Sequence, residues 1–414
     1  MNVLNCNGER LWASLMEMAN VGATDKGGNC RLALSPEDKA GRELFMGWCR
    51  DAGMTLSFDA IGNLFARRAG LDASLAPVVM GSHLDTQPKG GRFDGIYGVL
   101  SGLEVVRCLN EQGVQSQRAI DIAVWTNEEG ARFTPAMFGS AVFTGSLALQ
   151  TALDACDVNG VSVAQALDST GHVGEVPFQR AFDAYFEAHI EQGPILEDNG
   201  LPVGVVTGGQ AICWLDVRVC GQSAHAGTTP MALRKDALFG TAEMAAQLEA
   251  LAAEFAPKGL VTIGQLSIAK SSRNTIAGTV EFTVDLRHHQ DEQIAIMEQQ
   301  VHQRFQRIAD ERGLTLHIDR HWLSPATPFD AECVSAVRRA VQALGYPHQD
   351  IVSGAGHDAI LLARHCPTTM VFIPCVGGLS HNEAENIYPQ DARMGCDVLL
   401  NAVAERLLRK ATAH

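Results

Sequence analysis

The sequence predicts an α/β protein built as two domains, the smaller inserted into the larger. Three observations carry that reading. Short apolar runs of strand character alternate with helix-spaced segments through the first half of the chain and again near its end. Between them, residues 212–328 hold a complete β-α-β-β-α-β order of their own. A chain of 414 residues is also long enough for two separate cores. The main domain is therefore expected to be discontinuous, 1–211 with 329–414, and the inserted domain to cover 212–328.

Taken in order, residues 8–20 and 36–53 space their apolar positions as helices do. Strand-like runs follow at 63–67 and 77–81, then a helix at 97–112 after a glycine-rich loop. AIDIAVWT at 119–126 and AYFEAHIE at 184–191 read as further strands. In the insert, ICWLDVRVCG alternates as a half-buried strand does. A helix is expected at 234–255, strands at 260–268 and 279–287, a helix at 291–312 and a strand at 314–322. After Pro325 and Pro328 the first pattern resumes, with a helix at 330–344, a strand at 368–373 and a last helix near 390–409.

Composition narrows the function classes. An apolar fraction of 46% fits a globular protein, and a net charge of −15 argues against nucleic acid, whose phosphates need clustered Lys and Arg. None of the eleven cysteines forms a C-x-x-C pair and most sit in apolar runs, so they read as reduced core thiols. The first 22 residues show no basic region ahead of a long apolar stretch, and no window approaches a membrane span. The cytoplasm is the expected compartment, with no membrane partner.

Chemistry gathers at four strand ends, where open α/β sheets bind ligands. MGSHLDTQPKGGRFDGIYG at 80–98 carries His83 and Asp94; TNEEGARF carries Glu128 and Glu129; EAHIEQGP carries His189 and Glu191; GGLSHNEAE carries His381. Each alone is ordinary: a histidine at a strand end commonly donates to a carbonyl, and paired glutamates are usually a solvated turn. Together, three imidazoles and several carboxylates without thiolate suit zinc, manganese or cobalt at a catalytic site. Five ligands exceed what one tetrahedral ion takes from a protein, so two ions are expected, with an aspartate able to bridge them. Of Glu128 and Glu129, neighbours pointing opposite ways in extended chain, one should ligate and the other face a water. Glycines in 90–98 let the backbone carry Asp94 back over the strand end.

GSHLDT, GGRFDG, NEEGARF, EAHIEQGP, GQSAHAGTTPM, SRNTI, DLRH, SGAGHDA and SHNEAE occur in an order that closely resembles the amidase/hydantoinase/carbamoylase family. That family is a branch of the dinuclear-zinc aminopeptidase-like hydrolases. The resemblance runs nearly end to end. It implies a zinc-aminopeptidase-like catalytic domain with an inserted ferredoxin-like α/β lid through which the chain forms a homodimer. It implies that His83, Asp94 and His189 hold one divalent ion, and Asp94, Glu129 and His381 the other, zinc first, manganese or cobalt otherwise. Glu128 would be the general base and Asp85 a carboxylate orienting a ligand imidazole. His225 would stabilise the oxyanion across the dimer interface, Asn274 and Arg287 would hold the substrate carboxylate, and Gln192 would contact the ureido or amide group. His357 and Asp358 are left between packing, support and substrate contact.

One departure stands out. Many members of the family it resembles carry Gly-Gln-Arg where this chain has Ala211-Ile212-Cys213, which suggests a less polar substrate pocket. The expected activity is hydrolysis of N-carbamoyl-L-amino acids. Alternatives are allantoate, ureidoglycolate or β-ureidopropionate amidohydrolysis, hydrolysis of plain N-acyl amino acids or dipeptides, and a catalytically silent binding protein of the same fold.

Overall fold

A computed structural model describes residues 3–269 and 272–408. The chain divides into two compact units, one running to Gly208 and resuming at Pro328, the other spanning Gly209–Thr327.

The first unit is organised by four wholly buried strands, Val78–His83, Ile120–Trp125, Ala184–Ile190 and Thr368–Ile373. They lie parallel: the His83 strand sits between Ile120–Trp125 and Ala184–Ile190, and Thr368–Ile373 pairs with the other side of the latter. Burial on both faces explains their continuous apolar runs. Parallel alignment also puts all four carboxyl ends on one edge, and this is what positions the site. Antiparallel strands flank the centre: Leu64–Arg68 beside Ile120–Trp125, Thr55–Phe58 outside that, and Val203–Gly209 beside Thr368–Ile373. Helix Ile96–Glu111 and helix Pro389–Leu408 cover the sheet, and their buried faces belong to the same core cluster.

Helix boundaries follow cap chemistry. Ser35 accepts the Asp38 amide hydrogen ahead of Pro36, and Asp330 accepts those of Glu332 and Cys333. In the second unit Asp236 caps Ala237–Glu254, so that helix begins three residues later than its apolar spacing suggests. Its sheet is antiparallel, Thr315–Ser324, Ala211–Cys220, Thr279–His288, then Leu260–Thr262 with Leu266–Ile268, covered by two helices whose apolar faces form a separate core.

Several elements differ from expectation. The strand expected at 260–268 is two short strands: between them the Gln265 carbonyl still accepts the Thr283 amide hydrogen, but the Gln265 amide goes to the Thr283 hydroxyl at 3.1 Å. Strands Thr55–Phe58, Val203–Gly209 and His348–Ser353, and short helices at Phe138–Thr144, Leu149–Asp154 and Val163–Thr170, carry too brief a period to be read. Of the helix expected near 390–409, residue 409 lies outside the described residues. All eleven cysteines are unpaired thiols, eight of them buried. Among the described residues no helix is long and apolar enough to cross a membrane.

Close strand packing makes a stability prediction. Gly81 sits so near the Ala123 carbonyl that any Cβ would collide with it. Gly81→Ala is expected to destabilise the protein by about 1–3 kcal/mol through overpacking, read as a lower denaturation midpoint with unchanged m-value.

Candidate metal centre and active site

His83 ends its strand with its ring buried, and its Nδ1 lies 2.9 Å from the main-chain carbonyl of Asp85. A carbonyl only accepts, so Nδ1 carries the hydrogen and Nε2 turns a lone pair toward the strand edge. His189 is arranged alike: Nδ1 lies 2.8 Å from the Ile190 carbonyl, and Nε2 accepts the Gly95 amide hydrogen at 3.2 Å. Both Nε2 atoms face Asp94 Oδ1, at 3.6 Å from His83 and 3.2 Å from His189. The other carboxylate oxygen of Asp94, Oδ2, lies 3.4 Å from His381 Nε2, which is itself 3.3 Å from Glu129 Oε2. Two candidate three-donor clusters result, His83–Asp94–His189 and Asp94–Glu129–His381, and Asp94 belongs to both.

Lone pairs facing carboxylate oxygens across little more than 3 Å repel one another unless a cation joins them. Burial disfavours protonating His83 and His189, yet the surrounding carboxylates outweigh it and raise both above the ordinary imidazole range. Contact with Asp94 likewise pushes His381 up to about 9, against burial. Burial and then the charge of Asp94 push Glu129 up to about 7. Asp94 is the exception: burial works against its ionisation, but three imidazoles hold it well below the usual carboxylate range. The pocket thus calls for added positive charge, and imidazole–carboxylate donors of this kind fit divalent ions.

Glu128 and Glu129 are not in extended chain. The strand ends at Trp125, Asn127 adopts a left-handed φ of 55°, and the two glutamates follow in a bend. Glu128 goes to 3.4 Å from His83 Nε2, and Glu129 to the His381 side, where Gln87 donates to it at 2.8 Å. Burial, then Asp358 and Glu129 as like charges, raise Glu128 well above the usual range, with His83 opposing. Gln192 and His381 also hold left-handed φ values, 59° and 54°. Three such non-glycine residues around one pocket are the backbone strain that functional sites concentrate.

Other residues fall differently from expectation. The Asp85 carboxylate is 4.0 Å from His83 Nδ1 and instead accepts the amide hydrogens of Glu128 and Glu129 at 3.3 and 3.2 Å. The hydrogen bond to the imidazole is made by the Asp85 main-chain carbonyl, with the Asp85 carboxylate beside it as a neighbouring charge. Glu191 is not a donor to the pocket, because it caps the turn at Ile195 and Leu196. Gln192 donates to Asp94 Oδ2 at 2.9 Å. His357 stacks edge-on to His189 with centroids 4.4 Å apart, and the Ser140 hydroxyl donates to Asp358.

Sequence reading missed Glu187, which also groups with His189 and His357. Its carboxylate is already engaged by Ser82 at 2.8 Å, Tyr185 at 3.0 Å and the Ala359 amide at 3.2 Å, so it supports the pocket floor. The available signal was a carboxylate inside a wholly buried strand, two residues before His189.

Known proteins bear on this pocket. The model of Peptidase family M20/M25/M40 matches residues 79–405. The chain belongs to that family. Within M20 it falls among the hydantoinase/carbamoylase amidases, as its motifs suggested: a hydantoinase/carbamoylase family amidase from Burkholderia ambifaria is 60% identical, covering 98% of this chain and 99% of its own, with a TM-score of 0.94. An N-carbamoyl-L-amino-acid amidohydrolase of Rhizobium meliloti is 44% identical over 96% of both chains. An allantoate deiminase of Arabidopsis thaliana is 33% identical over 87% of this chain and 75% of its own.

The second unit of this M20 chain holds the remaining candidates. His225 bridges Thr275, and Ala226 donates its amide hydrogen to the Asn274 carbonyl at 2.8 Å, which brings His225 and Asn274 side by side. His225 Nδ1 accepts the Gly227 amide hydrogen at 3.0 Å, so Nε2 is the donor. Arg287, opposite Ile212 and Leu260 in the sheet, donates to both carboxylate oxygens of Asp285. Cys213 is fully buried in the core of this unit, paired in register with Leu286 and Leu323. A residue facing that core cannot line a substrate pocket, so Cys213 gives no support to the expectation of a less polar one.

Proposed function

We propose that this protein hydrolyses linear C–N bonds of carbamoyl compounds, releasing the amino acid, CO₂ and ammonia from N-carbamoyl-L-amino acids. The observation that carries the proposal is the pair of three-donor clusters sharing Asp94, with Glu128 beside them. We assign His83, Asp94 and His189 to one divalent ion and Asp94, Glu129 and His381 to a second, with zinc first and manganese or cobalt as alternatives. Bound there, such ions lower the pKa of water and polarise a carbonyl.

The remaining steps belong to the chain's own groups. Glu128 accepts a proton from the attacking water and returns it to the leaving nitrogen. A base held in a buried, anion-rich pocket keeps the proton affinity that this double task needs. Gln192 is assigned to the ureido or amide group. In the second unit, Arg287 and Asn274 are assigned to a carboxylate and the Nε2 hydrogen of His225 to the oxyanion, a guanidinium and a neutral N–H donor being suited to those charges. Dimerisation through that unit is part of the same proposal. Eleven unpaired thiols support a reducing compartment such as the cytoplasm.

An ammonia-release panel tests the substrate class. Turnover is expected to be fastest on N-carbamoyl-L-amino acids, slower on β-ureidopropionate, and absent on plain N-acyl amino acids. Turnover of allantoate alone would replace this reading with the allantoate one. Elemental analysis of gently purified protein is expected to find about two divalent ions per chain; none would favour a silent binding protein. Chelation should also lower Tm, since ions held at 100 times Kd add about 2.7 kcal/mol, and excess zinc should restore it.

A further inference from the structure

Glu385 is 1% exposed and takes no part in the chemistry proposed above. Its Oε1 accepts two main-chain hydrogens, from Phe93 at 3.0 Å and from Asp94 at 3.1 Å. Its Oε2 is 3.0 Å from the Ser380 hydroxyl, which lies 3.0 Å from Asp94 Oδ2 as well. One carboxylate therefore grips Asp94 at the main chain, and Ser380, whose single hydrogen serves one carboxylate at a time, lies between their side chains. The glycine loop is shaped around this group. Gly91 does not hold a left-handed φ, so its backbone does not require glycine, yet a Cβ there would collide with the Glu385 carboxyl.

The two oxygens of Asp94 serve different sides. Oδ1 faces His83 and His189, whereas Oδ2 faces His381 and receives Ser380, the residue next to His381 in the chain. We infer that Glu385 is the positioning residue for Asp94, and that it sets the Oδ2 side, where Glu129 and His381 complete the second set of donors. An outer carboxylate of this kind fixes where a ligand sits without touching the reacting atoms.

The inference rests on Asp94 serving both ions. Its test is titration of chelator-stripped full-length protein with cobalt(II), followed by calorimetry and by the visible absorption of the bound ion. Glu385→Ala is expected to weaken the second binding step by about 10–100-fold while changing the first by less than about threefold. Glu385→Gln should stay within about threefold of wild type in both steps, because its Oε1 still accepts both amides and its Nε2 donates to Ser380. Should Glu385→Ala fail to fold, Ser380→Ala keeps the main-chain bonds and must still weaken the second step selectively. Unchanged affinity in the folded alanine variants, equal loss in both steps, or a Gln variant as weak as the Ala variant would overturn the assignment. Wild-type protein that takes up no cobalt would instead overturn the role of Asp94 itself.

Discussion

Asp94→Ala is expected to yield a folded protein that takes up neither ion and has no measurable hydrolase activity, a loss of more than about 10⁴-fold. The expectation follows from one side chain serving two sets. Without it, His83 and His189 remain as a pair of neutral imidazoles, and Glu129 with His381 as a second pair; two donors do not hold an ion tightly at a catalytic site. The fold should survive, because the strands that carry these residues are held by apolar packing on both faces. Thermal scans with and without zinc make the point quantitative: the zinc-dependent rise in Tm seen for wild type should vanish. Asp94→Asn separates the two sides further. An amide offers one acceptor oxygen and one donor nitrogen, so this variant should retain at most one ion. Two ions in either variant, by elemental analysis, would end the shared-carboxylate reading.

The sequence exposed much of this because the site is made of residue types and strand ends. Histidine and carboxylate after an apolar run stand out, and parallel strands bring such ends together. What escaped has physical causes. The tautomers of His83 and His189 are set by the carbonyls of Asp85 and Ile190, and a main-chain atom leaves no mark in composition. Glu128 and Glu129 were expected in extended chain, whereas they follow the strand in a bend entered through Asn127 at positive φ, a geometry that only context selects. Glu385 stands in SHNEAE, but its importance depends on a loop almost three hundred residues away in sequence, |i−j| = 291 to Asp94. In the fold, Val203–Gly209 carries three glycines in a short flanking strand, and His348–Ser353 alternates too briefly to separate from loop. Buried central strands were readable; short peripheral ones were not.

Glu128→Gln should separate binding from chemistry. The substitution keeps the shape of the side chain, and Glu128 lies outside both three-donor clusters, so ion content is expected to match wild type. What the amide cannot do is accept a proton and return it. Loss of general acid–base assistance should lower kcat by about 10²–10⁴-fold, toward the upper end because one group is asked to act twice, with KM little changed. Glu128→Asp tests position instead of basicity. It keeps a carboxyl but withdraws it by one methylene, and a misplacement of about 1 Å can cost about 10²-fold in rate. The expected order is therefore wild type, then Asp, then Gln, at equal metal content. Steady-state kinetics paired with elemental analysis read both quantities from one preparation. If the Gln variant turns over within tenfold of wild type while holding its ions, the proton is carried by another group. Asp358 is then the next candidate: it is buried against the same pocket, and its charge acts strongly on Glu128.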